Sequence, residues 1–169
     1  MMKYKILIIL TLGLLIVPSC SVKHVATPDQ YDQETLASMM EALENAITDT
    51  PYCALIQYTS VEVVPVPDPD PNDDDVEEKQ IYHARVLETF RGQHMKKISY
   101  MLICEKGEYA SEHASIVGKK SVITLCLDNE GFWYPGTGSK FPATEEVIKT
   151  AQRIGQRLNF VKQSFSDCE

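Results

Sequence analysis

The chain has 169 residues, with 16 basic against 24 acidic side chains for a formal charge of −8, 44% hydrophobic residues and five cysteines. That length suits one domain, or one domain with appendages, and so ordinary a composition excludes wholesale disorder and a collagen-like repeat. An acidic balance without a basic block also excludes nucleic acid as the expected partner, because neutralising phosphates takes clustered Lys and Arg.

The chain opens with Lys3 and Lys5 ahead of twelve apolar-run residues, 6–17. A positive n-region before a short apolar h-region is the pattern of a secretory signal, and the run is short for a helix that must cross a bilayer, which takes roughly 20 residues. It ends in Val17-Pro18-Ser19-Cys20. An aliphatic residue three before a cysteine and a small residue just before it resemble the lipobox of bacterial lipoproteins. That resemblance implies a signal peptide over 1–19 and a lipidated Cys20 at the mature N-terminus. The rival reading is an ordinary cleaved signal with an incidental cysteine. Several acyl chains, each burying about 0.8 kcal/mol per CH₂, would hold the protein on a membrane without a protein span. Ser21, in place of Asp, points by the same resemblance to the outer membrane of a Gram-negative envelope, facing the periplasm. Cleavage removes two lysines and no acids, which leaves a 150-residue chain of net −10, enough for one well-buried core.

Residues 20–27 read as a lipidated polar tether. An amphipathic helix is expected over 28–50: Thr27 suits the N-cap, Pro28 the first helical position and Gln30 the capping box. Leu36, Met39, Met40, Leu43 and Ile47 follow at helical spacing, and Pro51 forbids continuation. Residues 52–64 are rich in Tyr, Ile, Val and Thr and read as a long strand. An acidic, proline-rich loop over 65–78 interrupts the pattern. Further strands are expected over 79–90, 97–104, 121–127 and from Phe132, with turns at 91–93 and 128–131. Five strands in succession suggest a small closed or nearly closed barrel over 52–142. Thr144 then caps a helix with Glu145 and Glu146 in its positive first turn, and Val147, Ala151, Ile154, Leu158 and Val161 make one apolar seam. This helix and a tail fill 143–169.

The middle of the chain resembles a known family. Residues 81–92, Ile-Tyr-His-Ala-Arg-Val-Leu-Glu-Thr-Phe-Arg-Gly, are similar to the strand followed by Lys/Arg-Gly of netrin-like (NTR) domains, an OB-fold family that includes the tissue inhibitors of metalloproteinases. The similarity continues through the strand ending in Cys104 and through Gly118 and residues 119–131. It implies an α+β, mainly β fold: an OB-like five-stranded barrel flanked by an N-terminal amphipathic helix and a C-terminal helix. Glu105 departs from the family's frequent glycine. The metalloproteinase inhibitors approach zinc through a free N-terminal cysteine, whereas Cys20 is expected to be blocked by lipid, so that mode of inhibition is not carried over.

Cys53, Cys104, Cys126 and Cys168 remain, and an even number in an exported chain favours two disulfides, with three connectivities open. In an OB-type barrel the first and fourth strands are antiparallel neighbours, which implies Cys53–Cys126 and hence Cys104–Cys168. Cys-x-x-Cys and His-x-x-x-His spacings do not occur, so neither a metal site nor a cofactor is expected. Asp68, Asp70, Asn72 and Asp74 alternate, but Asp73 and Lys79 occupy the places where an EF-hand needs Gly and Glu, and a solvated spacer is the expectation. Residues 136–140 lack phosphate-loop spacing and read as a turn from barrel to helix. Phe132, Trp133 and Tyr134 could stack a ligand, although alternation along a strand turns at least one of them into the core. His24, His83, His94 and His113 are scattered and flank no recognisable nucleophile, so no enzyme is expected. A hydrolase would have to use His83 or His94. The expected function is a lipid-anchored envelope protein that presents a protein-binding, inhibitor-like barrel. The alternative is a structural or assembly lipoprotein without a soluble ligand.

Overall fold

A computed structural model describes residues 33–66, 77–136, 138–158 and 168. The signal peptide, Cys20, the tether, the helix start at Thr27, the alternating acids of the loop, Val161 and most of the tail lie outside those residues. The described residues fold as a mainly β, α+β structure with the order α1 (Gln33–Asp49), β1 (Tyr52–Pro65), β2 (Glu77–Arg91), β3 (Lys97–Glu105), α2 (Ala110–Ile116), β4 (Lys120–Leu127), β5 (Phe132–Trp133), β6 (Lys140–Pro142) and α3 (Glu145–Leu158). Among the described residues no helix is long and apolar enough to cross a membrane.

The strands pair in a ring. β1 pairs with β2, β2 with β3, β3 with β5, β5 with β4, and β4 returns to β1 over Tyr52↔Leu125 to Gln57↔Lys120. Every pairing is antiparallel except β3 with β5, which meet in parallel at Tyr100↔Phe132 and Met101↔Trp133. β6 adds to β4 at Ser121↔Pro142, Val122↔Phe141 and Ile123↔Lys140. The ladder of β1 with β2 runs out to Pro65↔Glu78, so the acidic loop is shorter than its composition suggests. A proline is tolerated at the end of a strand that is paired on one side only.

Alternation gives the sheet two buried faces and the molecule two cores. Inside the ring lie Tyr52, Ala54, Ile56, Tyr58, Tyr82, Tyr100, Ile123 and Leu125. Outside it Cys53, Phe90 and Val122 meet Leu43, Ala46 and Ile47 of α1 and Val147, Ala151, Ile154 and Leu158 of α3. β4 serves both cores, and its six residues 121–126 are all buried. Thr144 Oγ1 accepts the Val147 N–H at 3.3 Å, the cap expected for α3. α1 ends at Asp49, two residues before Pro51, and the buried Arg91 guanidinium donates to the last-turn carbonyls of Ile47 and, at 2.9 Å, Thr48. A cation there satisfies carbonyls that have no partner within the helix.

Three expectations need correction. Residues 140–142 form a sixth strand instead of only a turn, and α2, which propensity did not mark, stands between β3 and β4. The disulfide joins Cys126 to Cys168 with Cα atoms 5.4 Å apart, whereas Cys53 and Cys104 are buried thiols. Cys53 does lie on the strand next to Cys126, but its direct partner is Thr124. Cys126 is therefore its diagonal neighbour, at a spacing of about 7–8 Å where a bridge needs less than ~7 Å. Cys104 sits beside the Glu78 carbonyl at the far end of the β2–β3 ladder, while Cys168 Sγ rests against the Asp49 carbonyl at the end of α1.

Candidate functional site

Two concave regions lie on the two sides of the β1–β2–β3 layer. The inner one follows from period-two alternation: Glu78, Gln80 and Tyr82 of β2 and Tyr100 of β3 turn into the ring. α2 brings Glu112 to the same place, Tyr134 follows β5, and Lys140 opens β6. Together they enclose a cavity of about 360 Å³ lined by Tyr82, Tyr100, Tyr109, Tyr134, Glu112 and Lys140. The Glu112 carboxylate pairs with the Lys140 ammonium across this cavity, both side chains being about one third exposed (31% and 34%).

One wall residue, Tyr82, is tied into a buried hydrogen-bonded network next to the cavity. The Tyr82 hydroxyl donates to Gln80 Oε1 at 2.8 Å, and Gln80 Nε2 donates to Glu78 Oε1 at 2.8 Å. His113 Nε2 lies 2.8 Å from the same Gln80 Oε1, and since an amide oxygen only accepts, the hydrogen is on Nε2. Tyr58 and Tyr100 share a hydroxyl–hydroxyl bond of 3.1 Å. The rings follow one another: Tyr82 stacks on Tyr100 at 5.1 Å and 7°, and Tyr134 leans on Tyr100 at 6.1 Å and 31°. Burial pushes the Tyr82 and Tyr100 phenols well above their ordinary range. Tyr134 is pushed up to about 12, by burial first and then by negative neighbours that include Glu112. The phenols therefore stay neutral at physiological pH and act as ring faces and hydrogen-bond donors.

The outer region is a groove of about 560 Å³ that includes Gln57, Thr59, His83, Arg85, Lys97 and Ser99. Arg85 donates to Gln57 Oε1 at 2.6 Å, and His83 Nδ1 lies 2.7 Å from Ser99 Oγ. Glu62 Oε2 is 3.8 Å from His83 Nε2. This sketches a serine–histidine–acid set, but the acid stands outside hydrogen-bond reach, and His83 and Ser99 are simply direct cross-strand neighbours. His94, the other histidine considered for hydrolysis, lies 3.5 Å from Thr89 Oγ1 on the surface. Among the described residues no group of three His, Cys, Asp or Glu side chains could hold a metal ion.

No protein-family model and no curated protein matches this chain.

Of the residues singled out from sequence, Tyr134 lines the inner cavity, Phe132 packs against the inner core, and His113 bonds to Gln80 beside it. His83 joins the outer groove instead, and Cys53 and Cys104 join neither. Sequence reasoning missed Tyr82, Tyr100, Glu112 and Lys140. A signal for the first two was present: phenols stand at the alternate, inward positions 58, 82 and 100 of three strands, where a plain core would carry Leu or Val. Glu112 and Lys140 are brought together from 28 residues apart, which no local pattern announces.

Proposed function

We propose that the chain is a lipid-anchored protein of the bacterial cell envelope whose domain binds another protein and catalyses no reaction. Val17-Pro18-Ser19-Cys20 supports the anchor, with Cys20 as the lipidated residue and the outer membrane, facing the periplasm, as its place. The ring order β1–β2–β3–β5–β4–β1, with a helix between β3 and β4, supports an OB-like five-stranded barrel of the netrin-like kind, to which β6 is an addition.

The observation that carries the binding reading is the outer groove. On a chain of net −8 it presents Arg85 and Lys97 beside the uncharged hydrogen-bonding groups of Gln57, Thr59 and Ser99. Such a cationic, polar patch complements an acidic protein surface. Two cations are too few for a nucleic-acid track, in keeping with the acidic balance of the chain.

Two measurements test the proposal. Metabolic labelling with palmitate should mark the full chain and fail on Cys20→Ser; labelling that persists would refute the anchor. Affinity capture from envelope extract should give a stoichiometric protein partner that is lost with Arg85→Glu/Lys97→Glu. Absence of a partner at micromolar protein would replace the binding reading with that of a structural lipoprotein.

A further inference from the structure

The inner cavity has features that the outer groove does not share. Its walls are four phenol rings with Leu102 and two glycines, it holds one carboxylate and one ammonium, and its volume of about 360 Å³ falls at the small end of ligand pockets. The carboxylate and ammonium face each other as a partly exposed ion pair, and such pairs contribute little to stability. A ligand that carries both charges can therefore take their place, each half of the pair gaining a new partner while the site stays neutral. An uncharged sugar could use the rings but would leave the pair as it is.

The chemistry around Glu112 decides which kind of cation fits. A primary ammonium wants several charged or carbonyl oxygen acceptors, whereas Glu112 is the one carboxylate among the residues that line the cavity. Beside that carboxylate the cavity is lined by tyrosine rings: Tyr109 and Tyr134, together with Tyr82 and Tyr100, which stack on each other. Aromatic faces with an adjacent acid attract a methylated ammonium, which spreads its charge over methyl groups and is weakly hydrated. The geometry points to a binding site for a small zwitterion that joins a trimethylammonium group to an anion, with the cation against the tyrosine rings and Glu112 and the anion on Lys140. Glycine betaine and phosphocholine share that chemistry, the second either free or as a lipid headgroup. This site is independent of the outer groove, so either assignment stands or falls alone.

Titration of the full chain in a polyoxyethylene detergent, followed by calorimetry and by Trp133 fluorescence, tests it. Free glycine betaine or free phosphocholine should bind saturably. Choline, which lacks the anion, and glycine, which lacks the methyl groups, should each bind about 10-fold more weakly. Glu112→Gln and Tyr134→Leu should each lower affinity about 10-fold while Tyr134→Phe preserves it, because a phenyl ring keeps the cation-attracting face. Thermal unfolding of each variant separates loss of the site from loss of the fold. A short-chain phosphatidylcholine that binds about 10-fold more tightly than free phosphocholine, and loses that affinity with Glu112→Gln, would assign the source to lipid headgroups, and weaker binding would assign it to the free zwitterion. The inference is overturned if glycine binds as tightly as betaine, if glucose binds while the trimethylammonium compounds do not, or if neither zwitterion binds the folded chain.

Discussion

Gly155 stands inside the apolar seam of α3, where a helix would ordinarily favour alanine by about 1 kcal/mol. A Cβ built there would lie 2.1 Å from the Phe90 carbonyl oxygen and 2.8 Å from its carbon. These are backbone atoms of β2, with no rotamer through which to yield. The missing side chain is therefore what lets α3 rest on the sheet, with Ala151 and Ile154 buried before it and Leu158 after it in the helix. Gly155→Ala should destabilise the fold by about 3 kcal/mol, since overpacking outweighs the gain in helix propensity. Urea unfolding checks this: the midpoint should fall with an unchanged slope. A loss below about 0.5 kcal/mol would mean that α3 can lift away from β2 at little cost.

At the scale of elements, the Cys126–Cys168 bond closes a loop of 42 residues that contains β5, β6 and α3. By loop entropy such a cross-link is worth about 4 kcal/mol, and Cys168→Ser should lose most of it, read as a lower unfolding midpoint for the oxidised chain. Peptide mapping should find this bond alone, with Cys53 and Cys104 reduced. Cys53 is completely buried, and burial pushes its thiol far above the ordinary range, so alkylating reagents should reach it only after unfolding. A Cys53–Cys126 bond in the native protein would refute the pairing. The sequence carries the elements more clearly than their partners. The strand-rich runs, the Thr144 cap and the seam of α3 from Val147 to Leu158 are local patterns, and they appear where expected. The cysteine pairing is not local: it depends on a one-diagonal difference of register between β1 and β4 and on where the chain end returns. α2 escaped notice because seven residues between Gly107 and Gly118, two of them serines, make too short a period to read.

Across the whole molecule, the inner core is polar in an unusual way. It is lined by phenols, of which Tyr58 and Tyr100 are bonded hydroxyl to hydroxyl and Tyr82 to Gln80, whereas the outer core under α1 and α3 is aliphatic with Phe90 and Phe141. Tyr52, Tyr58, Tyr82, Tyr100, Tyr109 and Tyr134 all hold their protons more tightly than a free phenol. Burial is the leading cause at each except Tyr109, where a hydrogen bond to Glu108 leads. The unfolded chain ionises its tyrosines near pH 10. Above that value the folded state binds more protons than the unfolded state, so stability must fall as pH rises. The contribution of these phenols is complete below about pH 10 and is lost as pH climbs through the folded values, which for Tyr134 means about 12. Alkaline titration of phenolate absorbance should thus begin at higher pH in the native protein than in denaturant. The five phenols held by burial should ionise in one cooperative step that coincides with loss of ellipticity. Independent ionisation near pH 10, with the fold intact, would show that the ring interior is open to water and that its hydroxyl network does not hold the two sides of the sheet together.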